Sequence, residues 1–253
     1  LTAQLRAYAP SQTEPGRTWE RLFYGGRRPP ELSLDYDEAA TRSAEAWLAH
    51  PPASPWVLFL PLLFPHPPFW VEEPWFSLHD RDAVPSPRPP RRGPEPAFMA
   101  AVRERYGIGD VTDEMWREVV ATYYGMVSRV DSQFGRVQDA VRESGLAADT
   151  VTFFFADHGE YLGDFGLVEK WPAGVDEVLV RDPLIIGGAG IPSGVTIDAL
   201  AEMIDVLPTV LDLAQATHPA PQFGRSLVPL LSAPGTHHRD AVFSEGGFRV
   251  EEE

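Results

Sequence analysis

Two hydrophobic periods alternate along this chain. From Asp35, the apolar positions Ala40, Ala44, Trp47 and Leu48 recur at helical spacing, which predicts a helix capped by Asp35 or Asp37. A second helix is predicted from about Glu95 to Tyr106. The strongest helix runs from Thr112 to about Ser144, with Thr112 or Asp113 as N-cap and Gly145 as the C-terminal stop. Its stripe is Val120, Tyr123, Tyr124, Val127, Val130, Phe134, Val137 and Val141. Three runs lack helical spacing and read as strands: "WVLFLPLL" from Trp56, "DTVTFFFAD" ending at Asp157, and "DPLIIGG" ending at Gly188. "IDALAEMIDVLPTVLDLA" reads as a helix kinked or split at Pro208. "AVFSE" near the end reads as a strand with nothing after it to pair with. Residues 1 to 34 are polar and broken by Pro and Gly, with "YGGRRPP" as a loop. The proline-rich stretch from Pro61 to Pro96 admits no regular helix or central strand, since each proline removes a donor. Its aromatics Phe69, Trp70, Trp75 and Phe76 indicate a packed loop. Strand, long helix, strand, strand, helix is an α/β order with a largely parallel sheet. No internal repeat is visible.

Composition narrows the function. A chain of 253 residues with 43% hydrophobic content can bury a real core. A net charge of -16 excludes a broad basic surface for nucleic acid. Any anionic substrate must then be held by local positive groups against the overall field. With no cysteine, disulfides, thiolate metal sites and a cysteine nucleophile are all absent from these residues. No apolar run reaches membrane-spanning length. The chain starts at Leu1, not Met, and localisation signals are expected in a missing N-terminus, so localisation is left open. We expect one α/β domain over 1–253, incomplete at the N-terminus and also at the C-terminus.

The chemistry concentrates in "FFFADHGEYLGDFGLVEKWP", residues 153 to 172. Ligands of open α/β sheets bind beyond the carboxyl ends of strands, where Asp157 and His158 fall. Gly159 permits a sharp turn there. A carboxylate and an imidazole suit a divalent cation, although a capping aspartate beside a surface histidine has the same sequence. Lys170 alone reads as a solvated side chain, and Glu160 as either a supporting or an exposed residue.

Taken together, "ADHGEYLGDFGLVEKWP" resembles the second signature region of the sulfatase family, within the alkaline phosphatase superfamily. "VRDPLIIGGAGIPSG", "ALAEMIDVLPTVLDLA", "GRSLVPLL", "FPHPPF" and "YYGMVSRVDSQFGRV" are similar to further segments of that family, in the same order. The resemblance runs from about Trp47 to Gly247. It implies an alkaline phosphatase-like α/β fold, with a mixed, mainly parallel sheet and helices on both faces. It also implies a sulfuric ester hydrolase. Asp157 and His158 match the metal ligands, for Ca2+ first, with Mn2+ or Mg2+ as alternatives. Lys170 matches the lysine on the ester oxygens, and His66 the histidine on the leaving-group side. The implied partner is a small-molecule sulfate or phosphonate ester, with neither nucleic acid nor membrane.

Three features depart from the family pattern. The formylglycine nucleophile, made from Cys or Ser in a C/S-x-P-x-R motif, has no match, and "SPRPPRR" from Ser86 is a misplaced imitation. Two further metal-binding aspartates are also unmatched. The resemblance puts both upstream, so these residues alone are expected to be inactive. Phe165 stands where the family commonly has His. Alternatives are a phosphonate or phosphate ester hydrolase of the same superfamily, or a non-catalytic relic of the fold. A phosphoglycerate mutase-like relative would need two metals and an H-x-x-x-H spacing not seen after Lys170. "GGAGIPSG" lacks the third glycine of a dinucleotide fingerprint. His237 and His238 read as a solvated turn, and Asp131 and Asp205 as buried satisfiers of backbone or Arg groups.

Overall fold

A computed structural model describes residues 18–53, 55–170, 174–217 and 220–244. The chain divides into two compact units. The first comprises the described parts of Leu1–Pro51, Leu58–Glu143 and Glu160–Gly174, and the second those of Pro52–Val57, Ser144–Gly159 and Val175–Glu253. No helix among the described residues is long and apolar enough to cross a membrane.

The first unit is organised by one long helix. Its elements are α1 (Thr18–Arg21), β1 (Tyr24–Arg27), α2 (Tyr36–Leu48), β2 (Phe69–Val71), α3 (Trp75–Leu78), α4 (Ala97–Tyr106) and α5 (Asp113–Glu143). Asp35 caps α2 by accepting from Glu38 N at 2.9 Å. Helix α4 ends where Gly107 takes the left-handed conformation expected of a C-cap glycine. Leu22, Phe69, Val71, Ile108, Trp116, Val119, Met126 and Val168 form the core. Helix α3 lies so close on α5 that a Cβ at Gly125 would meet Trp75 O at 2.4 Å.

Several expectations need correction here. Strand β1 forms within "YGGRRPP", expected to be a loop, and pairs parallel with β2, inside the stretch expected to hold no regular helix or central strand. Gly25 explains why the pattern hid it. A Cβ there would lie 3.0 Å from Trp70 Cβ, so close strand approach selects glycine over a strand-forming residue. The prolines near β2 (Pro67, Pro68 and Pro74) bracket it and do not interrupt it. The aromatics are packed as expected, with Phe69 fully buried, but Phe69 and Trp70 lie in β2 and Trp75 and Phe76 in the short helix α3, not in a loop. The run from Trp56 forms no strand. It has no ladder partner among the described residues, and Val57 and Phe59 remain 68% and 72% exposed. The α5 stripe is largely as expected, with Val120, Val130 and Val141 buried, but it departs at two kinds of position. Val127 is exposed, while Arg129 and Gln133 are buried. Arg129 goes inside because Glu72 and Asp35 await it, at 2.8 and 3.0 Å. Asp131 faces solvent.

The second unit is an antiparallel pair of strands with short helices. Its elements are β3 (Val151–Phe155), α6 (Glu177–Val180), β4 (Leu184–Gly188), α7 (Val206–Leu213) and α8 (Val228–Ser232). The two strands pair antiparallel, from Val151↔Gly188 to Phe155↔Leu184. β3 is half-buried throughout. The Pro208 helix begins later than expected: a 3-10 turn at Met203–Asp205 leads into α7. Pro208 falls in the first turn of α7, where a missing N–H costs no helical hydrogen bond. Asp205 is fully buried and accepts from Glu202 N, Arg225 N and the Arg239 guanidinium. His238 is drawn into this network, 3.2 Å from Asp205 Oδ2, and is not a solvated residue. His237 is the exposed member of that pair. Residues 241–244 of "AVFSE" form no strand, and Glu245 lies outside the described residues.

Candidate active site

His66 and Lys170 stand 104 residues apart in sequence and meet in the first unit. Lys170 Nζ lies 3.4 Å from His66 Nε2. The His66 loop is held at several points. Asp37, on the first turn of α2, accepts from Leu63 N and Phe64 N, both at 2.8 Å. His66 N donates to Leu63 O at 2.8 Å. His66 Nδ1 lies 2.7 Å from Pro67 O. A carbonyl oxygen only accepts, so Nδ1 carries the proton. In the neutral ring Nε2 is then the acceptor, and the ammonium of Lys170 is its donor.

The Lys170 side is built by the loop that follows Gly159. Tyr161 N donates to Glu169 O at 3.4 Å and Gly163 N to Leu167 O at 2.8 Å, a ladder that closes the loop around Asp164–Gly166. Glu169 has φ 65°, a left-handed value, and is 6% exposed. Its carboxylate lies 3.7 Å from Lys170 Nζ. Glu160 is half-buried, and burial first, then the Glu169 charge, pushes its pKa up to about 8. Near neutral pH this carboxyl stays protonated, so the ammonium is not surrounded by two full negative charges. Burial, with Glu169 and Glu160 adding, also raises Tyr106.

Phe165 anchors a loop. Its ring lies between the Arg88 and Arg91 guanidiniums, 5.1 and 4.5 Å from its centroid. Phe165 N donates to Arg88 O at 2.7 Å, and Arg88 pairs with Asp164 at 2.6 Å. "SPRPPRR" is thus fastened to the tip of the loop whose base carries Lys170.

Asp157 and His158 belong to the second unit, just beyond β3. His158 Nε2 lies 3.7 Å from Asp157 Oδ1. His158 Nδ1 is 2.9 Å from Gly159 O, so it carries the hydrogen and Nε2 is left with a free lone pair. Two donors on one cation are each about 2.0–2.6 Å from it, so a separation of 3.7 Å is within one ion's span. Gly159 is needed here: a Cβ would meet Val178 O at 1.9 Å. Asp182 is near this pair, raised by burial with the Asp157 charge adding and His158 opposing. Its Oδ1 is buried with no partner. Among the described residues, no group of three His, Cys, Asp or Glu is arranged as a complete metal cage. The donor pair fits a divalent cation as part of a larger set.

Sequence reasoning missed three of these residues. Asp37 was seen only as a cap candidate, because nothing local marks a carboxylate aimed 26 residues ahead. Glu169 was passed over beside Lys170. Asp182, in "VRDPLII", was read only as part of a strand motif.

The family model described as Sulfatase matches residues 7–216. The chain belongs to the sulfatase family. Among the curated relatives of this sulfatase chain is the multifunctional alkaline phosphatase superfamily protein PehA of Trinickia caryophylli. It is 30% identical over 81% of this chain and 43% of the relative. Arylsulfatase K of Danio rerio is 29% identical over 83% of this chain and 44% of the relative. A phosphonate monoester hydrolase from Silicibacter pomeroyi superposes with TM-score 0.66 at 25% identity, covering 95% of this chain and 51% of that one. The fold is therefore the α/β fold of the alkaline phosphatase-like sulfatases. The sulfatase chain spans about half, or less, of the length of these relatives.

Proposed function

We propose that the complete protein is a metal-dependent hydrolase of small sulfate esters. The nucleophile, a formylglycine on the family pattern, would come from residues outside these 253. The observation that carries the reading is the approach of Lys170 Nζ to His66 Nε2, in a chain whose net charge is -16. An ammonium and an imidazole set together can hold an ester anion and protonate its leaving oxygen. With no ester bound, Lys170 donates to His66. An incoming sulfate oxygen takes over the ammonium, and its negative charge favours proton uptake at His66 Nε2. As the nucleophile would bond to sulfur and the bond between sulfur and the alcohol oxygen breaks, His66 Nε2 gives that proton to the departing oxygen, which leaves as the alcohol. Asp157 and His158 would hold a divalent cation, Ca2+ first, which when bound neutralises charge on the ester oxygens.

The second reading is phosphonate monoester hydrolysis, favoured by the likeness to a phosphonate monoester hydrolase at 25% identity. Assay of the complete protein on an aryl sulfate and an aryl phosphonate monoester separates the two. Asp157→Ala should abolish metal-dependent turnover of the preferred ester and lower bound metal. Lys170→Ala should cut turnover about a hundredfold or more, as losing one oxyanion donor does. Normal turnover and metal content in Asp157→Ala would overturn the assignment.

A further inference from the structure

His66 is exposed, so packing of its own ring does not fix the imidazole. Its orientation comes from the main chain of residues 63 to 67, and that main chain is held from two sides. On one side stands Asp37, only 1% exposed. Helix α2 does not need it as a cap, since Asp35 already accepts from Glu38 N. Asp37 instead accepts from two successive loop amides, Leu63 N and Phe64 N. On the other side, the Phe64 ring sits against two guanidiniums, Arg28 at 5.2 Å and Arg129 at 4.6 Å from its centroid. Both arginines are immobilised by Glu72 and Asp35. Two residues further on, His66 Nδ1 is committed to Pro67 O and Nε2 to Lys170.

We propose that Asp37 is a positioning residue for His66. By gripping the Leu63 and Phe64 amides while Arg28 and Arg129 seat the Phe64 ring, it sets the single imidazole tautomer whose Nε2 faces Lys170. The inference rests on His66 as proton donor for its catalytic consequence, but not for its geometry. A misplacement of about 1 Å in such a group can cost about a hundredfold in rate, so the clamp has a kinetic signature.

The test reads His66 by nitrogen NMR in the complete protein at alkaline pH. The unsubstituted chain should show one tautomer, protonated at Nδ1. Asp37→Asn, whose amide nitrogen cannot accept, should give averaged shifts of the two tautomers. Phe64→Leu, which leaves the Asp37 acceptors intact, should give a smaller change in the same direction, and it decides the matter if Asp37→Asn does not fold. Arg136→Gln cuts the ion pairs of α2 to α5 through Glu38 and Glu45 and should leave the His66 signals unchanged. An unaltered tautomer in Asp37→Asn and Phe64→Leu, or an equal change in Arg136→Gln, overturns the proposal. In the complete enzyme, Asp37→Asn should lower kcat about a hundredfold with little change in KM. If the unsubstituted enzyme turns over neither ester, the hydrolase reading falls and the NMR result still decides the clamp. If it is active and Asp37→Asn matches it, the clamp alone falls.

Discussion

Replacing Glu160 with Gln should make the protein more stable near neutral pH, and the gain should grow with pH. Burial raises this carboxyl from an ordinary 4.5 to about 8. Between these two values the folded chain keeps a proton that the unfolded chain has released. An acid raised in this way makes stability fall as pH rises through the window, by about 1.4 kcal/mol per unit. At pH 7 the accumulated penalty is on the order of 3 kcal/mol, a large share of the roughly 5–15 kcal/mol that holds a domain folded. Glutamine cannot ionise, and its amide oxygen can still accept from Leu162 N as Glu160 Oε1 does at 3.2 Å. Urea unfolding of both proteins at about pH 5, 6, 7 and 8, extrapolated linearly, gives the difference at each pH and cancels groups common to both. The difference should be small at about pH 5 and widen steadily to about pH 8. A constant difference, or one that shrinks with pH, refutes the burial argument. The same ionisation adds negative charge beside Lys170, so affinity for an anionic ester should weaken as pH passes about 8.

Two further outcomes follow from packing. Arg129→Met leaves the buried carboxylate of Glu72 with one partner fewer and should cost about 3–5 kcal/mol, read as a lowered urea midpoint. Gly159→Ala forces a methyl group against Val178 O, 1.9 Å from the ideal Cβ. It should cost about 1–3 kcal/mol by overpacking and weaken cation binding at Asp157 and His158, measured by calorimetry on the complete protein.

Helices were legible wherever the apolar period and the cap agreed. Helix α2 begins after Asp35, and α5 runs Asp113–Glu143, within a residue of the expected ends. The failures have physical causes. The Trp56 run carries a strand's composition, yet a strand exists only by pairing, and no neighbour among the described residues supplies it. β1 carries a loop's composition, yet it pairs with β2 because its glycine lets Trp70 approach. The α5 face was read without Arg129 because apolar periodicity cannot announce a buried arginine. Arg129 is inside only because Glu72, 57 residues earlier in sequence, is there to meet it.

The candidate site divides along the same line. The family resemblance marks "DHG", the following lysine and His66 because each lies in a short continuous motif, whereas Lys170 taken alone reads as a solvated side chain. What holds them is invisible locally. Asp37 reaches 26 residues forward to the His66 loop. Glu169 buries its carboxylate beside Lys170 through a left-handed turn, which a residue other than glycine adopts at a cost of about 1 kcal/mol or more. The buried carboxylate of Glu169, 6% exposed, stays 3.7 Å from the Lys170 ammonium, which reaches His66. A sequence motif therefore marks the groups that would meet an ester, while their orientation is set by carboxylates buried behind them. A search for catalytic residues alone finds the first set and passes over the second.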